Sequence, residues 1–296
     1  MKKLIPLLMI CCLLCGGCTA TTANPLRNAE ATAVPGLAMN AYPATADDSN
    51  TESFEATLYF RYLDEPVLAS ETHTISIRRD ESKEIAVVRA LIDGPSAGYG
   101  DLQPLIPTST IVESVSNANG ILFLTLNDAF LNDGLEKERS SDPSWLSDAQ
   151  MHRRLTAQSI VSTLTDLAPY LGVQLMVSGG SDAATRLNND YFLTELGGLS
   201  DPLVRDETLL MTPSSAVSAL MSACVERDFG HALLYVAHDG IAEQDAVQSL
   251  DDAPRIAAFE AGNGVVENDR AVVTLKLTLS RDGEMHELTA YPLPLH

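Results

Sequence analysis

Between Ser82 and Phe130 the chain constrains its own geometry more tightly than anywhere else, because a helix with a written start and stop leads directly into a hairpin. Ser82 stands where an N-terminal cap belongs. Ile85, Val88 and Ile92 recur at helical spacing, and Val87 and Leu91 widen the apolar side, so this helix is mostly buried. Gly94-Pro95 ends it, since glycine accepts a left-handed cap and proline cannot continue the hydrogen-bond ladder. After a loop holding Leu105-Ile-Pro107, two strands, 111–115 and 121–126, turn on Asn117-Ala-Asn-Gly120, whose Asn and Gly tolerate positive φ.

The flanking segments extend this unit. Phe54, Ala56, Leu58 and Phe60 alternate against Glu55, Thr57, Tyr59 and Arg61 in a strand over 54–63. A second strand over 71–78 follows Asp64-Glu-Pro66, which predicts a hairpin. Downstream of a polar insertion at 131–147, a helix over 148–167 carries Ala157, Ile160, Val161, Leu164 and Leu167 on one stripe; Met151 and Leu155 lie off it. A strand over 173–177 stops at Ser178-Gly-Gly180. The order is ββαββαβ, an α+β open sandwich with two helices on one face of a sheet.

Leu91-Ile-Asp-Gly-Pro95, Leu105-Ile-Pro107 and Gln158-Ser-Ile-Val-Ser-Thr-Leu164, in this order around a hairpin and Phe130, resemble the GerM domain over roughly 56–180. That family occurs in bacterial lipoproteins and membrane-tethered proteins, with founding members in spore formation and germination. The resemblance implies a non-enzymatic role in assembling an envelope complex, because GerM-type domains are similar to ring-building modules of secretion-like assemblies. The insertion at 131–147 is longer and more acidic than the family pattern.

Residues 1–18 carry Lys2 and Lys3, an apolar run over 4–14 and Cys15-Gly-Gly-Cys18. This is the form of a secretory signal, too short to span a bilayer. Its ending resembles a lipobox, with Cys18 as the lipidated residue and Cys15 where leucine is usual. Processing there leaves Cys224 as the one thiol beyond Cys18, so no disulfide framework supports the fold. Residues 19–53, rich in Ala, Thr, Asn, Asp and Pro, read as a flexible tether.

The formal charge is −21, and loss of Lys2 and Lys3 with the signal makes it more negative. Such a chain is a poor match for nucleic acid or for an anionic leaflet. A diacylglyceryl anchor on Cys18 would hold it at the membrane, since two acyl chains bind stably where one does not. Arg89, Arg153 and Arg154 stand out against this acidity as candidate contacts to envelope proteins or to a second copy, and Trp145, the only tryptophan, is a fourth.

Residues 181–205 read as a polar linker, and 206–296 as a smaller α+β domain. A helix over 213–225 carries Val217, Leu220, Met221 and Cys224. Residues 231–237 are apolar and fit helix or buried strand, with helix preferred. Strands follow at 255–259, 271–279 and 285–291, the last two joined by Arg281-Asp-Gly-Glu284. Helices followed by an antiparallel sheet resemble the NTF2-like fold, which implies a cone able to enclose a small apolar or peptide ligand; a diverged second GerM-like unit is the alternative, although 206–296 hold no Leu-x-x-Gly-Pro.

Catalytic patterns do not rise above turn and surface chemistry. The six histidines include no HExxH pair. Gly94-Pro-Ser-Ala-Gly98 matches Gly-x-Ser-x-Gly but leaves a helix rather than a strand. Gly179-Gly-Ser-Asp182 lacks the lysine of a phosphate loop. Asp133, Glu136, Glu138 and Asp142 miss the spacing of a calcium loop and are interleaved with Lys137 and Arg139, so they read as a solvated face. No cofactor or metal is expected.

Overall fold

A computed structural model describes residues 50–97, 100–135, 142–179, 183–195, 197–237, 241–267, 270–281 and 283–295. They fall into two compact units that divide between Met211 and Thr212.

In the first unit, β1 (Thr51–Tyr62) pairs antiparallel with β2 (Leu68–Arg78), in register from Thr51 opposite Arg78 to Arg61 opposite Leu68. Helix α1 (Lys83–Asp93) follows, with the Ser82 hydroxyl accepting from the Ile85 N–H and Gly94 as its C-cap. The short β3 (Leu102–Gln103) returns to the end of β1. β4 (Val112–Ala118) and β5 (Ile121–Asn127) form the expected hairpin, whose turn residues Asn119 and Gly120 have φ of 53° and 80°. Helix α2 (Pro143–Leu167) crosses over to β6 (Gly172–Ser178), which lies parallel to β5, and β7 (Thr185–Arg186) closes the edge. The strands thus divide between two sheets, ordered β2-β1-β3 and β4-β5-β6-β7, rather than forming one.

The core is built where both helices meet these sheets. Leu58 and Phe60 of β1, Val87, Val88 and Leu91 of α1, Leu122, Leu124 and Leu126 of β5, Phe130 in the 3-10 turn after β5, Ile160 and Leu164 of α2, and Leu175 of β6 are essentially inaccessible to solvent. Tyr59, on the opposite side of β1, joins Leu68, Leu105, Leu155, Leu209 and Leu210 in a second cluster. This explains why Leu155 and Met151 lie off the main stripe of α2: the helix buries two faces, not one. Tyr59 also ties strand to helix through its backbone. Its N–H donates to Thr163 Oγ1 at 3.2 Å and its carbonyl accepts from Ser159 Oγ at 2.5 Å, so helix hydroxyls satisfy backbone groups that a neighbouring strand would otherwise claim.

Four boundaries differ from the sequence reading. β1 begins at Thr51, which shortens the expected tether. Helix α2 begins at Pro143, capped by Asp142, so the first turns of the helix lie within the expected insertion. Residues 183–205 are no free linker: Leu187 and Tyr191 are buried in the main core, and Leu203 exchanges two backbone hydrogen bonds with Val173 at 2.8 Å. Gly172 makes that approach possible, because a Cβ there would lie 2.9 Å from the Leu203 carbonyl oxygen. The segment up to Met211, whose N–H donates to the Leu68 carbonyl, also belongs to this unit, so the second begins at Thr212, not 206.

The second unit opens with α3 (Pro213–Glu226), held by a reciprocal capping box between Thr212 and Ser215. A short helix α4 (Phe229–Ala232) runs into one 3-10 turn at Leu233–Tyr235, so 231–235 are helical rather than strand, and Val236 leaves the turn in an extended conformation. Helix α5 (Glu243–Asp251) was not expected. Then β8 (Arg255–Glu267), β9 (Arg270–Arg281) and β10 (Glu284–Leu295) form an antiparallel meander with β9 central. Bulges near Ala257, between Ala261 and Gly264 and between Leu288 and Tyr291 bend the outer strands. Val273, Leu275 and Leu277 face inward, while Val272, Thr274 and Lys276 face outward. Among the described residues, no helix is long and apolar enough to cross a membrane.

Candidate functional site

The inward face of this meander does not close on its helices. Between them lies a cavity of about 210 Å³. Its floor is the sheet, through Leu275, Leu277 and Leu293; its walls are Leu220 and Met221 of α3, Leu233 after α4, and Ala246 and Leu250 of α5. The pattern behind it is visible in each element. Leu220, Met221 and Cys224 share one side of α3, and alternate residues of β9 point the same way. What leaves the space is the thinness of α5, whose one buried residue is the small Ala246. In an ordinary core a dry void of this size costs about 5 kcal/mol at roughly 24 cal/mol per Å³.

Cys224, Arg227 and Arg255 are among the polar groups that border this apolar space. The Cys224 thiol is half-buried, and burial pushes its pKa up, which disfavours the thiolate and a nucleophilic role. Arg227, in a left-handed conformation at the end of α3, pairs with Asp251 of α5 and lies 5.1 Å over the Phe229 ring. Arg255, the first residue of β8, is exposed and forms no ion pair among the described residues.

In the first unit, the residues singled out from the sequence separate. Arg153 is buried, its guanidinium 2.5 Å from Asp133 Oδ2 and 2.8 Å from the Tyr191 carbonyl, with the Tyr191 ring 5.2 Å away. It therefore holds the core edge together and is removed from the candidate contacts. Arg154 and Arg89 remain at the surface, paired with Asp206 at 2.6 Å and Glu81 at 2.7 Å. Trp145 sits half-buried in the first turn of α2 rather than on a loop, bordering a groove of mixed polarity with Leu131, Arg186 and Leu193. Cys18 lies outside the described residues, as do Glu136 and Glu138. The solvated acidic face is corrected at its ends, since Asp133 is the buried partner of Arg153 and Asp142 caps α2.

Sequence reasoning missed Glu71, a buried carboxylate that its place in an alternating strand gave no reason to notice. It accepts from the Ser96 N–H at 3.1 Å and lies 3.1 Å from His73 Nε2. Burial pushes the carboxyl up, but donation from Ser96 and His73 outweighs it and the net pKa is lowered. A serine, a histidine and a glutamate thus meet, but with the carboxylate between the other two. A nucleophile's base must touch the nucleophile, so this arrangement ties the loop after α1 to β2 and activates nothing. Among the described residues, no group of three or more His, Cys, Asp or Glu could hold a metal ion.

Comparison with known proteins bears on the first unit. The family model Germane, described as sporulation and spore germination, matches residues 57–182. No curated protein matches. Among solved structures, the tandem GerMN domains of the sporulation protein GerM from Bacillus subtilis are similar at 19% identity, over 55% of this chain and 48% of that one, with a TM-score of 0.34. The first GerMN domain of the same protein is 21% identical over 50% of this chain and 97% of its own, with a TM-score of 0.30. A putative lipoprotein from Clostridium perfringens is 22% identical over 47% and 89%, with a TM-score of 0.27. The chain spans about half the length of the tandem structure. Residues 57–182 therefore match the Germane family of sporulation and spore germination domains, over less than half of the chain.

Proposed function

We propose that this chain is a non-enzymatic, lipid-anchored extracytoplasmic protein whose Germane domain has an assembly or scaffolding role in an envelope complex of sporulation or germination. The observation that carries the reading is the family match over residues 57–182. The N-terminal sequence supports the anchor: a basic start, an apolar run and Cys18 in a lipobox-like ending. The partners are envelope proteins or a second copy, and Arg89, Arg154 and Trp145 are the contacts a neighbour would meet. A repeated heterologous contact of this kind closes into a ring when its rotation allows.

Two experiments test this. Cys18→Ala should abolish palmitate labelling and release the chain from the membrane; retained labelling would refute the anchor. Affinity capture of the full-length, lipidated chain should recover spore-envelope components from sporulating cells and not from growing ones. Charge reversal at Arg89 and Arg154 together should reduce that recovery, and unchanged recovery would rule these residues out as contacts.

A second reading is favoured by the cavity of the second unit: the C-terminal domain, NTF2-like in its order of helices and sheet, binds a ligand, and the Germane domain carries it. A ligand-dependent rise in melting temperature would support this reading.

A further inference from the structure

The cavity in residues 212–295 has features that restrict what it can hold. Its lining is aliphatic apart from Phe229, Tyr291, Cys224, Ser249 and the two arginines, so it offers a polar or charged ligand almost nothing inside. An apolar cavity of about 150 Å³ takes one benzene molecule. By proportion the 210 Å³ here hold about eight carbon atoms. Two of the lining residues are charged. Arg227 is already neutralised by Asp251, whereas Arg255 is exposed and without an ion pair among the described residues, on a chain whose formal charge is −21.

We infer that this cavity binds a single-chain anionic amphiphile of about eight carbons, its tail among Leu220, Leu277 and Leu288 and its head at Arg255. The inference rests on the ligand-binding reading of the C-terminal domain and adds the chemical class of the ligand. An aliphatic tail suits walls that give contact and no hydrogen bonds. A carboxylate or phosphate head suits a guanidinium that has no ion pair among the described residues and presents two donors in one plane. A cationic head would meet Arg227 and Arg255 directly.

The test uses the unlipidated polypeptide of residues 19–296, without detergent. Octanoate, octyl phosphate, octanol and octylammonium are titrated in turn, by calorimetry and by the rate at which an apolar maleimide alkylates Cys224, the only cysteine in that polypeptide. Octanoate or octyl phosphate should bind and slow alkylation at least about fivefold, and the stronger of the two identifies the head as carboxylate or phosphate. Arg255→Gln should weaken either anion about tenfold and leave octanol unchanged. Ala246→Leu, which fills the cavity without touching the rim, should weaken all of them. Equal binding of octanol and octylammonium to the unaltered chain would overturn the anionic class while leaving a ligand-binding domain standing. Failure of all four to bind or to protect Cys224 would overturn both.

Discussion

The two units of this chain draw on similar aliphatic residues and close to different degrees. In the Germane unit, Leu58, Leu124, Leu126, Phe130, Ile160, Leu164 and Leu175 are all sealed from solvent. In the C-terminal unit, Val273 and Leu275 reach that state, but Leu250, Ile256, Leu279, Leu288 and Tyr291 remain half-buried around an open space. The difference lies in what covers each sheet. α1 and the 25-residue α2 present broad apolar sides to theirs, while the second meander is covered by α3, one turn of α4 and the nine-residue, largely polar α5. A filled core suits a module that must hold its shape at an interface; an unfilled one leaves room for something else.

The comparison breaks most visibly if truncations cost the same in both units. Phe130→Ala should destabilise the Germane unit by about 4 kcal/mol, read from the denaturant midpoint of its transition. Arg153→Met should cost about 3 kcal/mol, because Asp133 would be left buried and uncompensated, and the double variant with Asp133→Leu should recover most of it. By contrast Leu288→Ala in the C-terminal unit should cost about 1 kcal/mol, since its side chain borders space already. Ala246→Leu should raise that unit's stability by about 1 kcal/mol through new apolar contact.

A smaller effect separates the units by pH. Burial raises the Glu71 and Glu84 carboxyls, but hydrogen bonds from Ser96 and His73, and from Ser82 and Tyr170, outweigh it and leave both lowered. A lowered folded pKa means that the folded state binds fewer protons than the unfolded one. Their stabilisation is therefore complete above the ordinary carboxylate range, near pH 4.5, and is lost as pH falls through the lower folded values. Glu71→Gln with Glu84→Gln should flatten the acid side of the Germane unit's stability profile; an unchanged profile would show that neither carboxylate contributes.

How much of this was legible depended on whether a signal was local. Ser82, Gly94-Pro95 and Asn119-Gly120 placed α1 and the β4–β5 hairpin because cap and turn chemistry sits in consecutive residues. The start of α2 was equally written, as Asp142-Pro143, but was overlooked within an acidic stretch. Residues 183–211 defeated the reading for a different reason: Leu187, Tyr191, Leu209 and Leu210 are buried and Leu203 is half-buried, with no period along the chain. α5 was hidden because a helix with one buried residue has no stripe to find. The Arg153–Asp133 pair spans 20 positions and the cavity is a remainder of packing, so neither leaves a pattern along the chain.

Amide hydrogen exchange of the unlipidated polypeptide of residues 19–296, with and without octanoate, tests the contrast between the units most directly. Without ligand, amides of β5, β6 and α2 should exchange slowest, and those of α3, α5 and β8 to β10 markedly faster. With octanoate, only the second group should slow. Equal protection of both units before ligand is added, or protection that appears in the Germane core instead, would contradict the account.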